Sequence, residues 1–176
     1  MFATFTAAVL FALLAVSLSF VESAQSRPNK VLALLFALFS VHMVLLTHRY
    51  WVGREDAVAL FSVIATCIGP TIYMYFVAVL GDQRFNSTYI LHHSWVAVVM
   101  VLLQFYDAGF PAVKDIVVVA SLMFYAGLCI RILSAERITA FTQTDNASRV
   151  YRFLKFLTLF LLFLAAIDVL IFFEFV

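Results

Sequence analysis

Long apolar stretches alternate with short polar connections along the chain, and this pattern predicts helices that cross a membrane. Six stretches are predominantly apolar: Phe2–Val21, Val31–His48, Ala57–Leu80, Thr88–Tyr106, Pro111–Ile130 and Phe156–Phe173. One crossing of the bilayer core requires roughly 20 such residues in a helix. We therefore expect one all-α domain over residues 1–176, a polytopic membrane bundle of about six transmembrane helices.

Composition supports lipid as the solvent for most of the chain. Hydrophobic residues make up 65% of the sequence and charged residues 12%, with a mean hydropathy of +1.07. Soluble domains have roughly 45–50% apolar and about 25% charged residues. The formal net charge is only +1, so no basic field exists for binding nucleic acid, and we expect this chain itself to contact none.

The distribution of Lys and Arg predicts the orientation of the bundle. The first, third and fifth connections hold eight of the 11 basic residues, and the second and fourth connections hold the other three. Basic connections stay on the cytoplasmic side. Both chain ends should therefore lie outside the cytoplasm, in what we expect to be a bacterial inner membrane. Arg149, Arg152 and Lys155, in the fifth connection, are expected to contact lipid headgroups.

The first apolar stretch could alternatively be a secretory signal peptide. No basic residue precedes it, its apolar run is too long, and the sequence Val21–Ala24 is a poor cleavage site. We expect a retained helix.

Two ionisable residues lie inside apolar stretches, where insertion costs roughly 2.5–3.5 kcal/mol per charge. His42 lies in the second stretch and Asp168 in the sixth, at similar predicted depth. One hypothesis is that they face a shared polar interior together with Gln104. The alternative is that each residue only binds a neighbouring carbonyl or a water and holds helices together.

The third stretch contains Gly69–Pro70–Thr71–Ile72–Tyr73–Met74–Tyr75. Proline removes a backbone donor from the helix, so a kink is expected near Thr66–Pro70. The freed carbonyl needs a partner from protein or water, which favours a buried bend. Pro70, Tyr73 and Tyr75 are therefore candidate ligand-binding or partner-binding residues, although a packing kink without a ligand would have the same sequence.

Metal, haem and catalytic sites are not expected. His92 and His93 are adjacent, so their side chains diverge by about 100° on a helix and cannot both face one metal. Cys67 and Cys129 lie in apolar stretches, as buried cysteines do. The sequence lacks a phosphate-binding loop, a nucleophile elbow, a HExxH motif and a CxxC motif. We expect no cofactor and no enzymatic activity.

Several segments resemble the N-terminal membrane domain of bacterial AraC-type transcription regulators. They are Arg27–Pro28–Asn29–Lys30–Val31–Leu32–Ala33–Leu34, Gly69–Pro70–Thr71–Ile72–Tyr73–Met74–Tyr75, Arg84–Phe85 followed by Leu91–His92, and Tyr151–Arg152–Phe153–Leu154–Lys155–Phe156–Leu157. The resemblance covers most of the chain and implies an outside N-terminus. Such regulators continue through a further helix to a cytoplasmic helix-turn-helix domain, which this sequence does not contain.

Two functions follow as expectations. The first is a membrane sensing module that contacts a ligand or another membrane protein through a change in helix packing. The alternative is a structural accessory subunit of a larger, for example energy-transducing, membrane complex, since 20 phenylalanines and only five glycines suit broad apolar packing. A transporter or channel is less consistent with the sequence, because paired broken helices are missing.

Overall fold

The computed structural model describes residues 2–20, 26–52, 56–80, 87–105, 111–134 and 145–175, and within these ranges all regular structure is α-helical. The helices described are α1 (Phe2–Ser19), α2 (Ser26–Val52), α3 (Asp56–Val79), α4 (Ser87–His93), α5 (Trp95–Phe105), α6 (Pro111–Ser134) and α7 (Asp145–Phe175). The predicted all-α class is confirmed.

Four of these helices are long and apolar enough to cross a membrane, as expected for an integral membrane protein. The candidate spans are Arg27–His48 in α2, Leu60–Val79 in α3, Val113–Ser134 in α6 and Ser148–Leu170 in α7. Two shorter apolar helices, Thr4–Ser19 and Trp95–Phe105, accompany them. The predicted count of about six spans is thus not confirmed beyond these four.

Helices α2 and α7 extend further than their apolar stretches. Helix α7 begins at Asp145 rather than at Phe156, so its first turns are polar and only its later turns are apolar. Arg149, Arg152 and Lys155, which the sequence pattern assigned to a connection, therefore lie on a helix.

The predicted fourth helix is divided at Ser94 into α4 and α5. The hydroxyl of Ser94 donates to the carbonyl of Ile90 at 2.8 Å, and its backbone N–H donates to the carbonyls of both Ile90 and Leu91. A serine hydroxyl that binds the preceding turn bends helices. The N–H of Val98 still donates to the carbonyl of Ser94 at 3.2 Å, so α4 and α5 are two arms of one bent helix.

Helix α3 lies at the centre of the bundle. Of its span, 72% is buried, whereas between 22% and 33% of the other three spans is buried. Helices α2, α5, α6 and α7 all pack against α3. Helix α1 instead forms an antiparallel pair with α2, in which the Ser40 hydroxyl donates to the Ala8 carbonyl at 2.8 Å. Any change in the shape of α3 must therefore be accommodated by four neighbours.

Helix α6 runs parallel to α3 and comes very close to it at Gly69. A Cβ atom added at Gly69 would lie 3.1 Å from Cδ2 and 3.3 Å from Cβ of Tyr125. The Tyr125 side chain is fully buried, so it has little room to move. At Gly127, on the other hand, an added Cβ would meet no atom within 4 Å.

We predict that Gly69→Val destabilises the fold, because the new side chain overlaps Tyr125 and core overpacking costs about 1–3 kcal/mol. Gly127→Val is the matched control, since it makes the same change in helix propensity at an open position. The measurement is the unfolding free energy in mixed detergent micelles. Equal effects of the two substitutions would contradict the proposed close contact.

Candidate functional site

The segment Thr66–Pro70 of α3, called here the proline turn, has an unusual hydrogen-bond arrangement. Pro70 has no backbone N–H, so the carbonyl of Thr66 lacks its helical donor. The hydroxyl of Ser121 in α6 lies 3.4 Å from this carbonyl and donates to it. Ser121 is itself buried, so this bond is shielded from solvent. A side chain of the neighbouring helix thus takes the place of the missing backbone donor.

The hydroxyl groups beside the proline turn are also paired with helix carbonyls. Thr66 donates to the carbonyls of Ser62 and Val63, at 3.0 and 2.7 Å. Thr71 donates to the carbonyl of Cys67 at 2.7 Å. Polar groups in this buried part of α3 are therefore satisfied locally, which is what a low-dielectric environment requires.

Tyr73, His93 and Tyr125 form a cluster that joins α3, α4 and α6. The Tyr73 ring centroid lies 5.0 Å from that of His93 and 5.9 Å from that of Tyr125. The Tyr125 hydroxyl donates to the His93 carbonyl at 3.3 Å, and His93 Nδ1 lies 3.2 Å from the same hydroxyl oxygen. Both bonds form when Nδ1 carries the proton. Tyr125 therefore connects the close approach at Gly69 to the end of α4.

His92 and His93 differ in their surroundings, as their positions on a helix predict. His92 is exposed, whereas His93 is half-buried and packs against Tyr125. Among the residues that the structure describes, no group of three or more His, Cys, Asp or Glu side chains could hold a metal ion. His93 contributes packing and hydrogen bonds to the cluster.

His42 and Gln104 both carry a buried nitrogen without a partner. The His42 ring stacks on Phe61 of α3, with centroids 4.1 Å apart, and its Nδ1 atom makes no hydrogen bond. Gln104 Nε2 is likewise buried and unpaired. Leaving a polar group buried and unpaired costs about 1–3 kcal/mol. These two atoms are therefore the places where a hydrogen-bonding molecule would gain most.

Gln104 lies on α5, which packs against α3. His42 also contacts α3, through Phe61. Both unpaired nitrogens therefore belong to helices that pack on the central helix.

Asp168 lies at the depth of His42. Tyr75 contacts Phe153 of α7 edge to face, with ring centroids 5.9 Å apart. Asp168 follows Phe153 by as many residues as separate Leu60 from Tyr75, so in the antiparallel pair of α3 and α7 it lies level with Leu60, next to the Phe61 on which His42 stacks. We call His42 and Asp168, together with the buried Gln104, the polar layer.

The neighbour of Asp168 differs from the one expected. Asp115 of α6 is the charged group near Asp168. No hydrogen bond or ion pair joins Asp168 to His42 within the described ranges. The structure therefore brings His42 and Asp168 to a common depth, with Asp115 as an acidic neighbour of Asp168.

The other predicted site residues have simpler surroundings. Pro70 and Tyr75 are buried, and Tyr75 serves as a packing contact between α3 and α7. Arg149, Arg152 and Lys155 are all exposed on the first turns of α7. Those three side chains are free to reach lipid headgroups.

Sequence reasoning missed Ser121, Tyr125 and Asp115 in α6 as partners of the predicted residues. Ser121 and Tyr125 are four positions apart and share one helix face, and such a polar pair within an apolar stretch was the available signal.

Comparison with protein-family models, curated proteins and solved structures finds no match to this chain.

A double-mutant cycle can measure the bond across the proline turn. Ser121→Ala should reduce the unfolding free energy by about 1 kcal/mol, because the Thr66 carbonyl loses its donor. Pro70→Ala restores a backbone N–H to α3. In that background the Ser121 substitution should cost clearly less, giving a coupling energy of at least about 0.5 kcal/mol.

Thr158→Ala is the control for this cycle, because Thr158 is a buried hydroxyl on α7 that donates within its own helix, to the Leu154 carbonyl at 3.0 Å. Thr158→Ala should reduce the unfolding free energy by the same amount in the native sequence and in the Pro70→Ala background. Strict additivity of the Ser121 and Pro70 substitutions would show that Ser121 does not compensate for the proline.

Proposed function

We propose that the chain is a non-enzymatic membrane sensing module, in which a ligand or another membrane protein shifts the packing of helices around α3. The observation that carries this proposal is the bond from Ser121 to the Thr66 carbonyl at 3.4 Å. A single side-chain hydroxyl there replaces a backbone donor, so the central helix depends on the position of α6. Proline positions are common sites of helix bending.

The tight contact between Gly69 and Tyr125 supports two discrete packings rather than a continuous range. Packed interiors resist gradual deformation, so small shifts at one site become rearrangements of whole helices. Tyr125 also binds the end of α4 through His93. A movement of α6 would therefore be transmitted to α3 and to α4 together.

The polar layer is the proposed ligand-binding region. His42 Nδ1 and Gln104 Nε2 are buried without partners, and Asp168 lies at the depth of His42. A ligand with hydrogen-bond acceptors and donors would satisfy these atoms in the packing that it favours. Such differential contact is what a ligand needs in order to shift an equilibrium.

The proposed topology has six crossings in a bacterial inner membrane. Helices α2, α3, α6 and α7 supply four, and we assign the others to α1 and to the bent pair α4–α5. The basic connections would face the cytoplasm, and the polar layer, near the start of α3, would face the outer half of the bilayer. The resemblance to the membrane half of AraC-type regulators supports a sensing role, without a cofactor and without nucleic-acid contact by this chain.

One surface favours the alternative of an accessory subunit in a larger membrane complex. An exposed apolar stripe runs along α4 and α5 at helical spacing; it consists of Leu91, Trp95, Val98, Leu102 and Phe105. A partner subunit could pack against this stripe. Purification in fixed stoichiometry with other membrane subunits would favour the accessory role over the sensing role.

Spin labels can test the proposed shift in packing. Labels at Leu60 and Met123, two exposed positions, report the separation of α3 and α6 across the proline turn in a protein with Cys67 and Cys129 replaced by alanine. In lipid nanodiscs we predict two resolved distance populations by double electron–electron resonance. Pro70→Ala should collapse them into one, because the Thr66 carbonyl regains a backbone donor and no longer depends on α6.

A second label pair, at Val9 and Val44, serves as the control because it spans the α1–α2 hairpin and not the proline turn. This pair should show one distance population both in the protein with Pro70 and in the Pro70→Ala variant. A single narrow population for Leu60 and Met123 with Pro70 in place would argue against a module with two packings.

Topology has a separate test. An epitope tag fused after residue 176 should react with an antibody added to intact spheroplasts, because both chain ends are assigned to the outer side. A tag inserted between residues 138 and 139 should react only after permeabilisation. The reverse pattern of antibody reactivity would show that the bundle has the opposite orientation, with the polar layer in the cytoplasmic half of the bilayer.

A further inference from the structure

A cleft of about 440 Å³ lies between α1 and α2. It is lined by Ala15, Val16, Ser19, Lys30, Ala33, Leu34 and Ala37. Ala15 and Ala33 are buried and form its floor, whereas Val16 and Leu34 are half-exposed and form its walls. Small side chains on both helices leave this space between two otherwise closely packed helices.

The cleft combines an apolar floor with a cationic mouth. Lys30 lines it, and Arg27 lies one turn earlier on α2; both side chains are exposed. Among the described residues of the lining, the one hydroxyl is that of Ser19, which donates to the Ala15 carbonyl at 2.8 Å. An apolar chain could therefore lie in the cleft without facing an unpaired polar group.

The position of the two basic residues matches the headgroup region. The candidate span of α2 begins at Arg27, so Arg27 and Lys30 lie where the apolar helix enters the bilayer. Helix α7 runs parallel to α2 and carries Arg149, Arg152 and Lys155 at the same end of the bundle. Anionic lipids concentrate on the cytoplasmic leaflet, where each nearby Lys or Arg strengthens binding.

We propose that this cleft binds one anionic phospholipid, with an acyl chain along Ala15 and Ala33 and the phosphate against Lys30 and Arg27. An acyl chain suits the apolar floor, and a negative headgroup complements the two exposed cations. The inference goes beyond the proposed sensing role. It depends on helices α1 and α2 lying in lipid with this end at the headgroups of the cytoplasmic leaflet, as in the proposed topology.

The test measures lipid retention on the full chain by native mass spectrometry. Protein purified in mild detergent is equilibrated with mixed micelles containing equal amounts of phosphatidylglycerol and phosphatidylcholine of the same acyl chains. We expect one bound phosphatidylglycerol, preferred at least five-fold over phosphatidylcholine. Lys30→Ala should lower this preference about five-fold, as expected for the loss of one interfacial charge.

Two further variants separate the parts of the site. Ala37 is a half-buried residue of the cleft lining. Ala37→Leu fills part of the cleft and should reduce the retention of both lipids. Arg131→Ala removes an exposed basic residue from the last turn of α6, outside the cleft, and should leave retention unchanged. The thermal unfolding midpoint in lipid-free micelles shows whether each variant is folded.

Equal retention of the two lipids would overturn the proposal, as would an unchanged preference in a folded Lys30→Ala protein. An equal loss for Arg131→Ala and Lys30→Ala would show general charge attraction rather than a site at the cleft, and would overturn it too. Because the spin-label distances test the sensing module separately, the failure of either proposal is distinguishable from failure of the other.

Discussion

The requirement that every buried carbonyl has a donor constrains this fold most strongly at Thr66. Helix α3 is enclosed by four other helices, so water cannot replace the N–H that Pro70 lacks without entering the core. Ser121 supplies the donor from α6 at 3.4 Å, and Gly69 lets α6 approach closely enough for this bond. The proline, the glycine and the serine thus form one structural solution shared by two parallel helices.

The close contact between α3 and α6 at Gly69 also determines the position of Tyr125. The close approach places Tyr125 over Gly69, and the Tyr125 hydroxyl then reaches the last residue of α4. In the polar layer the nitrogens His42 Nδ1 and Gln104 Nε2 remain unpaired. Polar groups around the proline turn are thus paired, whereas these two nitrogens of the polar layer are not.

The sequence was sufficient to predict the helical class and the four apolar spans, because helix length and hydropathy are local properties. The count of about six spans is not confirmed beyond these four, and the roles expected for Pro70, His42 and Asp168 stay predictions. The sequence could not identify Asp115 as the neighbour of Asp168, since that depends on the rotation of α6 relative to α7. The bond from Ser121 to the Thr66 carbonyl could not be predicted from the sequence for the same reason. The polar first turns of α2 and α7 were missed because hydropathy detects only the apolar parts of a helix.

The bend at Ser94 affects the surrounding bilayer as well as the protein. Residues 87–105 form two arms, and a bent rod reaches less far along the membrane normal than a straight helix of about 1.5 Å per residue. The described residues 87–105 therefore present less apolar height than α2 and α7 do. A bilayer can adapt to such a shorter face by local thinning, which would give the protein an intrinsic preference for thinner regions of membrane.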